Sequence, residues 1–377
     1  MKLRCLFASL GLILFCGVSW GQLDMPWRYY YPEFNQEADK NLYFRLENNN
    51  FFDNNEYFGE YIEGYTMIGY TAHPSFIYYA SPRVRIQAGV YLTKFSGIDE
   101  FEKVLPTFSI HTRLSDRLDL IMGRLRGDVH HRMLEPLFNP ENQYTRPFEN
   151  GIQFVYEAPC FRGDLWIDWE QFIKWGDTKP EKFTAGFSAN YRLNKPGNDW
   201  ELSIPAQVLV THLGGQISDY EERMQSLANL ATGLKLNYRV GDGFIRSLGL
   251  ATYAATYHDL TNASGYDFTF GNAWYPVAEA NYKYGTLMAG YWHATNFLAP
   301  KGSPLFQSAS NYQPDYFSKT RELISAKLNF SKTLLKQLKL NAIVQLYYDL
   351  PAAQLEYSYG INLMFTPNFF ISKINFE

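Results

Sequence analysis

The stretch Leu338-Lys339-Leu340-Asn341-Ala342-Ile343-Val344-Gln345-Leu346-Tyr347-Tyr348 decides the fold. Leu338, Leu340, Ala342, Val344, Leu346 and Tyr348 share one parity. Lys339, Asn341, Gln345 and Tyr347 share the other, with Ile343 as the exception. Side chains of an extended chain alternate between two faces, so a period of two over about ten residues describes a strand with one apolar and one polar face. The flanking segments repeat the pattern. Leu355, Tyr357, Tyr359, Ile361, Leu363 and Phe365 oppose Glu356, Ser358, Gly360 and Asn362, and upstream Ala326, Leu328 and Phe330 oppose Lys327 and Asn329. Successive strands of this kind, divided by short turns, describe a sheet closed on itself.

The alternation extends through most of the chain. Segments 65–79, 83–93, 107–114, 118–126, 151–157, 164–172, 183–193, 200–212, 230–240, 244–257, 272–284 and 286–297 carry it. A short first strand is expected at 42–47, with the Asn-rich run 48–55 as a loop. Short turns such as Lys195-Pro196-Gly197-Asn198 and Gly241-Asp242-Gly243 alternate with long loops, of which 127–150 and 299–317 are the longest. The pattern yields about seventeen strands. Single-chain barrels take an even number, so about sixteen are expected, with fourteen or eighteen open.

Aromatic residues make up 18% of the chain, with 29 Tyr and 29 Phe, yet the mean hydropathy is −0.29. Strands that present apolar residues on one side and polar residues on the other average out in this way. No run of about eighteen apolar residues is present, so no membrane-spanning helix is expected. The net charge of −4 argues against nucleic acid as a partner. Lys2 and Arg4 followed by the apolar run 5–18, with Ser19 and Gly21, make a secretory signal over 1–21. A periplasmic lead-in is expected over 22–40 and the barrel over 41–377. Beyond the signal the only cysteine is Cys160, so no disulfide forms within the chain.

The architecture, and the terminal strand with Phe370, Ile374 and Phe376 on one parity, resemble Gram-negative outer-membrane β-barrel proteins of porin type. Glu377 after the terminal Phe is a departure from their usual ending. The resemblance implies an all-β, closed antiparallel transmembrane barrel exported to the outer membrane. It implies lipid around the wall and small polar solutes as the traffic through it; oligomeric state is left open.

Alternation places Arg83, Arg85, Arg113, Arg124 and Arg126 on the polar face of three consecutive strands, and Asp164, Asp168 and Glu170 on that of a later one. Two such rows facing each other across water would set up a transverse field that favours polar solutes; alternatively they neutralise each other within a closed lumen. Loop 127–150, with His130, His131, Arg132, Glu135 and Glu141, is the candidate constriction. Its phrase His131-Arg132-Met133-Leu134-Glu135-Pro136-Leu137 has the look of a family signature. Adjacent histidines without a spaced third ligand do not define a metal site, and no motif calls for a cofactor. Passive diffusion of small polar solutes is therefore the expected function. The alternatives are a surface-polysaccharide export or assembly barrel, and a lipid-modifying enzyme. For the latter the strand histidines are His111, His212 and His293, with Ser109 beside His111, but no G-x-S-x-G nucleophile motif occurs. A plugged receptor would need about 100 residues ahead of the barrel, which this chain lacks.

Overall fold

The structure, a computed structural model, describes residues 34–374. The expected signal over 1–21, most of the lead-in and the terminal Phe376 lie outside the described residues.

Strands β1 (Asn41–Glu56), β2 (Thr66–Ser81), β3 (Val84–Phe95), β4 (Lys103–Ser115), β5 (Leu118–Arg124) and β6 (Asn150–Ala158) form the first part of the wall. They are followed by β7 (Phe161–Gln171), β8 (Glu181–Arg192), β9 (Trp200–Gly214), β10 (Gln225–Arg239), β11 (Ile245–Asp259) and β12 (Phe270–Tyr282). The remainder are β13 (Gly285–Thr295), β14 (Thr320–Leu335), β15 (Leu338–Asp349), β16 (Gln354–Phe365) and β17 (Asn368–Lys373). Every sequential pair from β2 to β16 is antiparallel, and all seventeen strands belong to one sheet. The ring closes through β1, which pairs along its length with β2 and on its other edge with β16 and then β17.

That closure explains the odd count. Residues 357–365 and 368–373 lie end to end along the same edge of β1, interrupted at Thr366–Pro367, where the Pro367 carbonyl still accepts from Leu46 N–H. Proline has no N–H for the ladder and breaks the strand without ending it. The wall therefore has sixteen positions.

The Asn-rich run expected as a loop is strand instead. Asn48 to Asn54 pairs on both sides, and its side chains find local partners: Asn49 Nδ2 donates to Asn362 Oδ1 (3.0 Å) and Asn48 Nδ2 to the Thr71 carbonyl (2.9 Å). Asn disfavours strands because its amide competes with the ladder; barrel closure supplies both edges and outweighs that preference.

Alternation sets the two faces. Val344, Ile361, Phe154 and Leu165 stand out from the wall, whereas Asn341, Gln345, Asn362, Gln153 and Asp168 are buried on the inside. Ile343 points inward too and joins the interior apolar cluster. Seven connections of two to seven residues lie at one end and eight loops, up to twenty-five residues long, at the other. In outer-membrane barrels the short turns are periplasmic and the long loops face the cell exterior. Residues 34–40 tuck under the periplasmic end, where Phe34 lies edge-on to His111 (5.1 Å) and beneath the Arg113 guanidinium (5.6 Å).

Candidate functional site

The sequence-predicted arginines lie along β3 to β5, but each is matched locally. Arg83 sits in the periplasmic turn, more than half exposed, beside Asp116. Arg85 is fully buried and donates to His111 Nδ1 (3.2 Å), and His111 Nε2 lies 2.9 Å from Asp119. Arg113 and Arg126 converge on the same Asp119 at 3.6 and 3.1 Å. Arg124 donates to His73 Nδ1 (2.8 Å), stands 3.5 Å from Glu47 and covers the Phe148 ring at 4.1 Å. His73 Nε2 is left to donate to the Thr107 hydroxyl (2.8 Å). Asp119, Glu47 and His73 were not among the expected site residues; they sit on polar parities, but only the fold brings them to these arginines.

The acidic row on β7 is neutralised from the long loop. Gly123, with φ 88°, approaches the Phe108 carbonyl so closely that a Cβ would collide with it, and the chain leaves the wall into the lumen just beyond. Arg146 pairs with Asp168 (2.8 Å) and with Glu170, and Lys301 from loop 296–319 reaches Glu170 at 2.5 Å. His131 donates through Nδ1 to Asp164 (3.1 Å) and through Nε2 to Glu149 (2.5 Å), with its ring stacked on Trp166 at 3.5 Å. Burial alone would depress its pKa; the two carboxylates overcome this and push it up to about 10. An imidazolium committed through both nitrogens has no lone pair to accept a proton. His131 is therefore a structural cation. The Arg162 guanidinium donates to the His130 carbonyl (2.9 Å).

The two longest loops fill the lumen between these shells. Met133, Leu134, Leu137 and Phe138 from 125–149, and Leu298, Leu305 and Phe306 from 296–319, form one buried cluster with Tyr253, Tyr275, Trp292 and Tyr347 of the wall. Glu135 latches it: one oxygen accepts from the Tyr347 hydroxyl (2.7 Å) and the other meets Lys327. A cavity of about 640 Å³ opens externally, bordered by Glu63, Tyr65, Glu141, Lys301 and Leu298. A second, of about 240 Å³, lies at the periplasmic end with Arg132, Arg162, Leu134, Lys235, Glu201 and Glu279. Leu134 and Leu298 belong to the same apolar cluster, so that cluster lies between the cavities. Sixteen wall positions were expected to leave an aqueous interior; here the loops occupy it, and the two charged rows meet local partners across packed protein. Lys327→Met should cost about 3 kcal/mol in thermal or urea unfolding, because it strands Glu135, and adding Glu135→Gln should recover much of that.

Three histidines face outward near the external ends of their strands. His212 stacks on Phe183 (4.8 Å) and its Nδ1 lies 2.9 Å from the Ser226 hydroxyl. His258 Nε2 is 3.1 Å from the Thr256 hydroxyl. His293 Nδ1 is 3.0 Å from Glu322 Oε1, which also accepts from the Tyr291 hydroxyl (2.9 Å). Ser109 and His111, by contrast, are buried on the inner face. No group of three or more His, Cys, Asp or Glu suited to a metal occurs among the described residues.

The closed antiparallel wall, polar shell and apolar exterior define an outer-membrane β-barrel of a Gram-negative bacterium. Residues 34–374 match the model of the lipid A 3'-O-deacylase-type family, and the chain belongs to that family. No curated protein matches it in sequence. Among solved structures it is similar to a loop-deletion mutant of OmpT, an outer membrane protein of Vibrio cholerae, with 12% identity over 86% of this chain and 99% of that one, at TM-score 0.50. It is also similar to OprD of Pseudomonas aeruginosa, with 10% identity over 93% of this chain and 99% of that one, at TM-score 0.50. At such identities the likeness is one of fold.

Proposed function

We propose that this barrel acts on acyl-ester lipid of the outer leaflet, as a hydrolase of the kind its family is named for. The observation that carries this reading is the filled lumen. The arginines of β3 to β5 and the carboxylates of β7 are tied up with local partners, and loops 125–149 and 296–319 occupy the space a solute would cross. The surface left for chemistry is the outer wall, and that wall touches lipid. Purified barrel incubated with vesicles of hexa-acylated lipid A is expected to release free fatty acid, read by mass spectrometry. An unchanged lipid A spectrum would overturn the reading.

A second reading, porin-like passage of small polar solutes, is favoured by the polar cavities at both mouths, which would join if the two loops parted. It predicts discrete conductance steps in planar bilayers, with ion selectivity that moves when Arg124 and Arg126 are neutralised. Steps together with a silent lipid A assay would favour it over the first.

A further inference from the structure

We infer that His293, Glu322 and Tyr291 form the catalytic site, on the outside of the barrel at the level of the external leaflet's ester bonds; this rests on the lipid-hydrolase reading above. His293 stands two residues from the external end of β13, about 7 Å along the strand, between Trp274 on β12 and Glu322 on β14. Exposed Trp274 and half-buried Tyr291 belong to the aromatic belt that marks the interface in such barrels. The interface is where the ester linkages of a membrane lipid lie, between headgroup and hydrocarbon.

A carboxylate on the lipid-facing side of a strand is unfavourable and adds nothing to the lumen packing. Here it is held in place by two neighbours and hydrogen-bonds one histidine nitrogen. With Nδ1 turned to Glu322, His293 presents Nε2 outward from a ring that is 42% exposed. That is the arrangement of a general base and its orienting group. His212 and His258 have only hydroxyl partners in their hydrogen bonds. Below the dyad, Ala278, Ala289 and Ala326 face one another across three strands, between the larger pairs Leu287–Leu328 and Tyr291–Ile324. Three small side chains between larger ones make room against the apolar wall for an acyl chain.

The reaction balances with water as the only co-reactant. His293 Nε2 takes a proton from water as the water oxygen bonds to the ester carbonyl carbon. The bond from that carbon to the alkoxy oxygen then breaks, and the proton passes from His293 to the departing alkoxide. The products are a fatty acid and a lipid with a free hydroxyl. Glu322 is a positioning residue: it fixes the ring and favours the imidazolium that forms. The titratable groups on this face of β12 to β15 are His293, Glu322, Tyr291 and Tyr348 toward the external end, and Tyr282 and Lys332 toward the periplasmic end.

The test is acyl release from hexa-acylated lipid A vesicles by the full barrel, with heat-modifiable gel migration as the check on folding. His293→Gln is expected to lower kcat by at least 100-fold, within the range for loss of a general base. Glu322→Gln should lower kcat about 10- to 100-fold with little change in KM, the split expected of a residue that orients the base without binding the lipid. His258→Gln should leave release unchanged. Wild-type release that survives His293→Gln but is lost in Ser226→Ala or His212→Gln would overturn this site while leaving the lipid-hydrolase reading standing. A folded wild-type barrel that releases nothing would overturn both.

Discussion

Replacing His131 by Gln is expected to destabilise the barrel by about 5 kcal/mol, the largest effect of any single polar substitution in the lumen. Glu149 and Asp164 are both buried, and each uses His131 as its positive partner. Removing one member of a buried ion pair costs roughly 3–5 kcal/mol because an uncompensated charge stays behind; here two carboxylates are left around one site. Gln153 Nε2 still donates to Asp164 and Arg162 lies 3.9 Å away, which softens the loss on that side. The readout is the urea midpoint followed by tryptophan fluorescence, which Trp166 under the His131 ring should report directly.

The same site predicts a pH dependence with a definite sign. The two carboxylates raise the folded-state pKa of His131 to about 10, whereas an unfolded histidine releases its proton near 6.5. The group's contribution is fully present below about pH 6.5 and declines as the pH rises toward 10, because over that window the native state binds a proton the unfolded state does not. Wild-type stability should therefore fall across this range, and the His131→Gln variant should show a flatter profile.

The wall was legible in the sequence because its code is local. One parity of Leu338 to Tyr348 meets lipid and the other meets the interior, and no tertiary information is needed to separate them. Two features of the wall escaped. The run 48–55 looked like a loop because Asn favours turns, and only pairing with β2 on one edge and with the distant β16 on the other makes it a strand. The break at Pro367 adds one to the count of about seventeen strands, because alternation cannot tell an interruption from a reversal. The interior was less legible. Parity assigns Arg124 and Asp164 to the polar face, but their partners Glu47, His73 and His131 come from other strands and from a loop with no period. A loop that folds inward carries ordinary apolar residues, Met133, Leu134, Leu137 and Phe138, whose destination depends on the cavity that receives them. His293 was visible as a strand histidine; its outward side follows from parity, but Glu322 as its partner follows only from the β13–β14 register.

Val344→Arg should be the costliest substitution on the outer wall, at about 2–4 kcal/mol, because it puts a guanidinium against hydrocarbon near mid-height. Val344 is 44% exposed, opposite Leu328 on β14 and Tyr359 on β16, with Leu340 and Leu346 on the same face of its own strand. No neighbouring carboxylate or aqueous cavity is available there, and an arginine reaching for either interface must cross that apolar band. Alternation alone would offer Asn341→Arg as the mild counterpart on the inner face. Packing argues otherwise, since Asn341 is wholly buried and accepts from Ser331 Oγ at 2.7 Å, so a larger side chain there is resisted by neighbours rather than by lipid. Asn190→Arg is the better comparison. Asn190 borders the periplasmic cavity of about 240 Å³, with Glu201 and Glu279 on the same lining, so a new guanidinium there can stay hydrated or find a carboxylate. Its expected cost is about 1 kcal/mol or less. Unfolding in lipid vesicles, followed as the urea midpoint, measures both. A Val344→Arg barrel as stable as the Asn190→Arg barrel would mean that the parity of β15 is reversed, and with it the assignment of every lipid-facing residue on the strands paired to it.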